Sequence, residues 1–233
     1  MIRNPEIQGG DKVGALVGHQ AYSSEGIENC AVIGGKIQGS NRAGGLVGNM
    51  EESPIKNCYT TCEVIATDYY AGGIVGAHKV GSGLENCYAT GNVSGPNSGG
   101  IAGQARNVER CVALGQTVTG ASSHRVLSEP NGKLNVYAWS GMKVNGITVT
   151  DGAANNENGA DLVCNGGALS TQFSEIFAND DAWTYTENGL PILKVVKGEQ
   201  SSELPSWMLS DASTIYITTA QQLKQLADEV NAG

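Results

Sequence analysis

Residues 44–48 read Gly44-Gly45-Leu46-Val47-Gly48. The block returns as Gly72-Gly73-Ile74-Val75-Gly76 and Gly99-Gly100-Ile101-Ala102-Gly103, and an earlier copy stands at Gly14-Ala15-Leu16-Val17-Gly18. The closing glycines are 30, 28 and 27 residues apart. A second block trails each copy: Ile27-Glu28-Asn29-Cys30, Ile55-Lys56-Asn57-Cys58, Leu84-Glu85-Asn86-Cys87 and Val108-Glu109-Arg110-Cys111. A third apolar position follows at Ile37, Val64, Val93 and Val118, and Gly39, Gly95 and Gly120 stand two residues beyond three of them. Three blocks recurring in one order four times mark an internal repeat, which decides the architecture before any finer reading.

Each unit holds three short apolar segments separated by Gly, Asn and Ser. None is long enough for a helix, so they are expected to be strands of three to five residues. One unit cannot bury its apolar side, whereas stacked units can. The fold class expected is therefore all-β: a parallel β-solenoid, or β-helix, of coils of about 28 residues. A mixed C-terminal cap and a short terminal helix complete it. Successive coils would pair at about 4.8 Å. Asn29, Asn57 and Asn86 are expected at corners, because Asn tolerates the left-handed region, and their stacked amides are expected to bond in a ladder. The pattern of a leucine-rich repeat, which has a similar period, is absent.

The Gly-Gly-Leu-Val-Gly blocks, with Asn86-Cys87-Tyr88-Ala89-Thr90-Gly91 between them, resemble the GLUG repeat. The resemblance covers about residues 9–120. It departs from the pattern at Ala15, Ala102 and Arg110, and Cys62 stands where Gly91 stands in the third unit. GLUG repeats occur in large bacterial surface proteins and in non-catalytic regions of some immunoglobulin A peptidases. The resemblance implies an extracellular or cell-surface setting. It also implies a non-catalytic spacer or adhesive module of a bacterial protein, or an accessory region of a secreted host-protein peptidase.

Residues 1–150 are read as the solenoid, with 121–150 a degenerate last coil because Asn135-Val136-Tyr137-Ala138 echoes Asn86-Cys87-Tyr88-Ala89. Residues 151–197 are read as a closing cap with an amphipathic stretch at Phe173-Ser174-Glu175-Ile176-Phe177, placed to hide the last open strand edge. Residues 198–213 are read as a linker and 214–233 as the strand and helix that open a following module. In that helix Thr219 would be the N-cap, Gln222 would complete a capping box, and Leu223, Leu226, Ala227 and Val230 would form one face. The chain thus reads as a fragment that starts in mid-repeat.

Composition narrows the functions. Fourteen Lys and Arg against 23 Asp and Glu give a formal net charge of −9. That excludes a general nucleic-acid surface, which needs a basic footprint, and disfavours anionic membranes. No apolar run reaches the roughly 18 residues of a membrane span, so no membrane insertion is expected. Met1-Ile2-Arg3-Asn4-Pro5 shows no secretory-signal pattern.

The candidate chemistry is sparse. Cys30, Cys58, Cys87 and Cys111 share one repeat position, and Val136 takes the fifth. They are expected to be a buried column of small apolar side chains; a disulfide at Cys58 and Cys62 and a metal site are the alternatives, and Cys164 stands alone. Glu28, Lys56, Glu85 and Glu109 are expected on an outer face. Glu85 and Glu109 could be the acid/base pair of a β-helical polysaccharide lyase or hydrolase, against a plain solvated face. His19, His78 and His124 sit in no metallopeptidase motif. Asp151, Asn155, Asn156, Glu157 and Asp161 form an oxygen-rich turn that lacks Ca²⁺-loop spacing. No cofactor, metal ligand or catalytic residue is therefore assigned, and no enzyme activity is expected. Tyr22, Tyr59, Tyr69, Tyr70 and Tyr88 are candidate exposed aromatics. Among them Tyr59, Tyr88, Tyr69 and Tyr70 are the ligand-contact candidates, the alternative being that Tyr59 and Tyr88 only shield the coil edge. The partners implied are a host glycan or glycoprotein and flanking domains of a longer chain.

Overall fold

The computed structural model describes residues 1–21, 25–78, 83–163, 169–186 and 189–209. Cys164, Tyr22 and the expected helix at 214–233 lie outside them. The strands Glu6–Gln8, Lys36–Gly39, Glu63–Ala66, Val93–Ser94, Thr117–Thr119 and Lys143–Val144 pair in that order, all in parallel. They define a β-solenoid of about six turns. Ile7, Ile37, Val64, Val93, Val118 and Val144 share one register column. A second wall stacks Lys12–Gly14, Arg42–Gly44, Tyr70–Gly72, Asn97–Gly99 and Ser122–His124. The third aligns Val17, Val47, Val75, Ala102 and Leu127. Between these walls Leu46, Ile74, Ile101 and Val126 are fully buried.

The second glycine of the three middle blocks, Gly45, Gly73 and Gly100, is a steric requirement. A Cβ on Gly45 would strike the carbonyl oxygen of Gly73, one on Gly73 that of Gly100, and one on Gly100 that of Arg125. At these three positions the carbonyl of the following coil comes too close for a side chain. The corners follow the expectation: Asn29, Asn57 and Asn86 have φ of 54°, 51° and 51°, and Arg110 takes the same corner at 54°. Their amides, however, do not form the expected ladder, and Asn57 and Asn86 are used by the cap.

Two elements exceed the expected three to five residues. Ala102–Ala113 and Leu127–Trp139 run through the corner and pair with each other, with register shifts near Arg106 and Arg110. The earlier coils insert a loop between Gly-block strand and Asn-Cys strand, as between Met50 and Ile55. From the fourth coil on, that connection is too short to leave the ladder. The degenerate coil also turns back on itself. Lys143–Val144 pairs antiparallel with Ile147–Thr148 through Asn145 and Gly146, both at positive φ, the geometry of a two-residue hairpin.

Only the first part of the expected cap, residues 151–163, closes the end of the stack. The last strand edge is covered by Ala160–Leu162, which pairs with Tyr137–Trp139, and by the Glu157 carbonyl, which accepts from the Val126 and Leu127 N–H groups. Residues 169–209, among those described, instead lie against the flank of the stack. The helix Leu169–Ile176 buries Leu169, Phe173 and Ile176. Trp207 donates from Nε1 to the Leu114 carbonyl at 3.1 Å, Met208 is buried, and Gln200 accepts from the Tyr59 hydroxyl at 3.1 Å. The described part of the expected linker is therefore docked, because its apolar side chains have an open flank to cover.

Candidate functional site

The cap decides the fate of two tyrosine candidates. Tyr59 and Tyr88 lie in register on adjacent coils and stack with centroids 4.9 Å apart and planes 5° apart. Trp183 leans on both, at 6.2 and 5.7 Å, and Phe173 meets Tyr88 edge-on at 6.0 Å. Tyr59 is 1% exposed and Tyr88 0%. The expected exposure of this pair is thus corrected: its rings are the seat of the cap. Burial pushes the Tyr59 phenol up to about 12 and the Tyr88 phenol up as well. The Tyr88 hydroxyl donates to the Pro191 carbonyl at 2.9 Å.

Asp180 fastens the cap to the corner column. It accepts from Asn86 Nδ2 at 3.0 Å, Asn57 Nδ2 at 3.4 Å and the Ala182 N–H at 2.9 Å, with Lys56 Nζ at 3.6 Å. Trp183 Nε1 donates to Asn57 Oδ1 at 3.1 Å. Burial alone would raise the Asp180 carboxyl; the Ala182 N–H, Lys56 and the two amides outweigh it and hold it below its ordinary value.

Tyr69 and Tyr70 behave differently. They belong to a different wall from the cap's seat: Tyr70 opens the strand Tyr70–Gly72 and Tyr69 precedes it. Tyr69 is 45% exposed, and its ring meets that of Tyr70 edge-on at 4.4 Å. Tyr70 is only 4% exposed and is held from two later coils. Its hydroxyl donates to Glu129 Oε2 at 2.6 Å, and Gln104 Nε2 donates to the same oxygen at 2.8 Å. Arg42 and Asn97 flank Tyr70 in register. Arg42 is held by Asp11 at 3.0 Å. The result is one exposed aromatic face on a locked polar base, the arrangement by which Tyr offers an apolar surface at low entropic cost. Gln104 and Glu129 carry no motif; only their alignment beside Ala77 and Asn49 in the coil register could have pointed to them.

The other candidates resolve as follows. Lys56 aligns with Glu28 and Glu85, and Glu85 with Glu109. Arg110 ion-pairs with Glu85 and lies 3.9 Å from Glu109, while Lys56 is 3.8 Å from Glu85. Two cations thus neutralise the pair that acid/base chemistry would use. Among the described residues Cys30, Cys58, Cys62, Cys87 and Cys111 are free thiols, all buried except half-buried Cys30. Val136 aligns with Cys111. Burial pushes Cys58 and Cys111 up, and Cys62 to about 12. A hydrogen bond from Cys58 draws Cys30 down to about 7. The oxygen-rich turn is filled by a side chain of this chain: buried Arg125 donates to the Asn158 and Gly159 carbonyls at 2.9 and 2.7 Å and to Asp161 Oδ1 at 2.6 Å. Its signal in the sequence is His124-Arg125-Val126-Leu127, an aligned Gly block with Arg at the second glycine. A shallow cleft of about 290 Å³ between flank and cap helix is lined by Arg110, Asn135, Tyr137, Asp161, Gln172 and Glu175, among others.

No family model matches the chain. Halomucin of Haloquadratum walsbyi (strain DSM 16790 / HBSQ001) is 35% identical over 86 residues, which is 35% of this chain and 1% of halomucin. The chain thus spans a very small part of that relative's length. A crystal structure from Bacteroides ovatus, provisionally described as an immunoglobulin A1 protease, superposes with a TM-score of 0.64. It is 24% identical, and the match covers 84% of this chain and 67% of that one. At that identity the likeness concerns the fold: the chain is similar to both and shares a β-solenoid architecture with the second.

Proposed function

We propose that this chain is a non-catalytic β-solenoid module of a larger secreted or cell-surface bacterial protein, of the GLUG-repeat kind, that holds a saccharide-binding face on a rigid stack. The observation that carries this reading is the exposed Tyr69 ring on a base locked by Tyr70, Glu129 and Gln104. An aromatic face stacks on the C–H face of a pyranose, and the neighbouring Arg42, Asn97 and Glu129 offer donors and acceptors for its hydroxyls. The resemblance to GLUG repeats and the similarity to a stretch of halomucin support a surface setting. The pairing of Glu85 with Arg110 and Lys56 supports the absence of hydrolytic chemistry. The likeness to the Bacteroides ovatus structure favours a second reading, an accessory segment of a secreted peptidase, in which the same face engages the glycoprotein substrate.

The test is a glycan and glycoprotein array probed with the intact chain and with Tyr69→Ala. Tyr69 is exposed, so the variant keeps its fold, checked by circular dichroism. Binding reduced about tenfold or more in the folded variant is the expected result. Equal binding by both proteins places recognition elsewhere, and no binding by the intact chain leaves only the spacer.

A further inference from the structure

The aromatic column of the flank has a third ring. Ala31, Tyr59, Tyr88, Val112 and Tyr137 stand in register on successive coils. The cap's aromatic cluster seals Tyr59 and Tyr88. Val112 separates that pair from Tyr137, whose ring stacks on no other aromatic among the described residues. Tyr137 stays half-buried and lines the cleft of about 290 Å³ between the flank and the cap helix. Three elements build this cleft. The strand Leu127–Trp139 supplies Asn135 and Tyr137, the end strand Ala160–Leu162 supplies Asp161 and Leu162, and the helix Leu169–Ile176 supplies Gln172, Glu175 and Ile176.

The polar groups that converge there are uncommitted. The Asn135 amide, the Tyr137 hydroxyl and the Glu175 carboxylate make no hydrogen bond or ion pair among the described residues. Asp161 engages Arg125 through Oδ1 alone and keeps half its side-chain surface exposed. Gln172 uses only Nε2, toward the Val163 carbonyl at 3.3 Å. A ring, an apolar wall and a few convergent polar groups are the make-up of a small-ligand site, and the volume lies at the lower limit of about 300 Å³ for such sites. Charge narrows the ligand. Arg110, on the rim, is already matched by Glu85 and Glu109, so Asp161 and Glu175 repel an anion. We propose that this cleft is a saccharide site for one uncharged pyranose residue, separate from the Tyr69 face and resting on none of its contacts. The C–H face of the sugar lies on the Tyr137 ring. Its hydroxyls donate to Glu175 and to Asp161 Oδ2 and accept from the Asn135 amide.

Amide chemical-shift titration of the isotope-labelled intact chain tests this. The probes are the methyl glycosides of glucose, galactose and mannose, with N-acetylglucosamine, and with sialic acid as the anionic control. At least one neutral sugar is expected to bind with a dissociation constant of about millimolar order and to shift residues 135–137, 161–162 and 172–176. Glu175→Ala and Asn135→Ala, both outside the core, are each expected to weaken that binding by about threefold or more with an unchanged circular dichroism spectrum. No shift in the cleft with any neutral sugar overturns the proposal. So does a response to sialic acid alone, or binding indifferent to both variants. Shifts confined to residues 69, 70, 104 and 129 belong to the Tyr69 face and also overturn it, while leaving that reading intact.

Discussion

Asp180 and His78 make the stability of this protein depend on pH by two separate routes. Asp180 is held below its ordinary value of 3.8 by the Ala182 N–H of the cap and by Lys56, Asn57 and Asn86 of the stack. Its contribution is fully present above the unfolded value and is lost as pH falls through the folded one. Acid below about pH 4 should therefore release the cap first, seen as a red shift of tryptophan emission while the β-sheet signal persists. Asp180→Asn should weaken cap docking at neutral pH and flatten that acid transition. His78 is fully buried, and its Nε2–H donates to the Ser53 carbonyl at 2.7 Å. Burial lowers its proton affinity from the ordinary 6.5. The unfolded chain thus takes up a proton that the folded one refuses. Stability is flat above that pH and declines below it, by no more than about 1.4 kcal/mol per pH unit. Denaturant midpoints between pH 5 and 8 should show this slope, and His78→Gln should remove it.

Within the coils, the repeat positions differ sharply in what they tolerate. At Gly73 a Cβ meets the Gly100 carbonyl and the Ala89 Cβ. Gly73→Ala should cost about 1–3 kcal/mol or more, since relief requires moving a coil apart. The cysteine position is the opposite case. Its occupants are thiols in four coils and Val136 in the fifth, all inside the same column. Cys111→Val should change stability by less than about 1.5 kcal/mol, whereas Cys111→Asp buries an unpaired charge and should unfold the neighbouring coils. Chemical denaturation of the three variants ranks them. The repeat blocks foretold both sets of positions, because the spacing recurs from coil to coil and the residue type recurs in most of them. The length of Ala102–Ala113 and Leu127–Trp139 was not legible, since it depends on a loop being too short to leave the ladder.

As a whole the molecule is a stack with a strap along its side. Each coil is stabilised by its neighbours, so the stack gains from every junction, and the cap gains from one aromatic cluster. Trp183 contacts Tyr59, Tyr88 and Phe177 with centroids 5.2–6.2 Å apart. Trp183→Ala should cost the cap about 3–5 kcal/mol. Limited proteolysis should then remove residues after 163 first and leave the solenoid resistant. The sequence by itself determined the parallel stack, its period, its inward columns and its asparagine corners, because a repeat imposes the same local geometry on every coil and needs no distant partner. Only the tertiary structure decided which outer face stays open. Tyr59 and Tyr88 have the same local signature as an exposed aromatic column. Their burial depends on Asp180 and Trp183, which lie far along the chain in the cap. The same is true of Tyr69: it remains a candidate contact because the cap crosses a different flank.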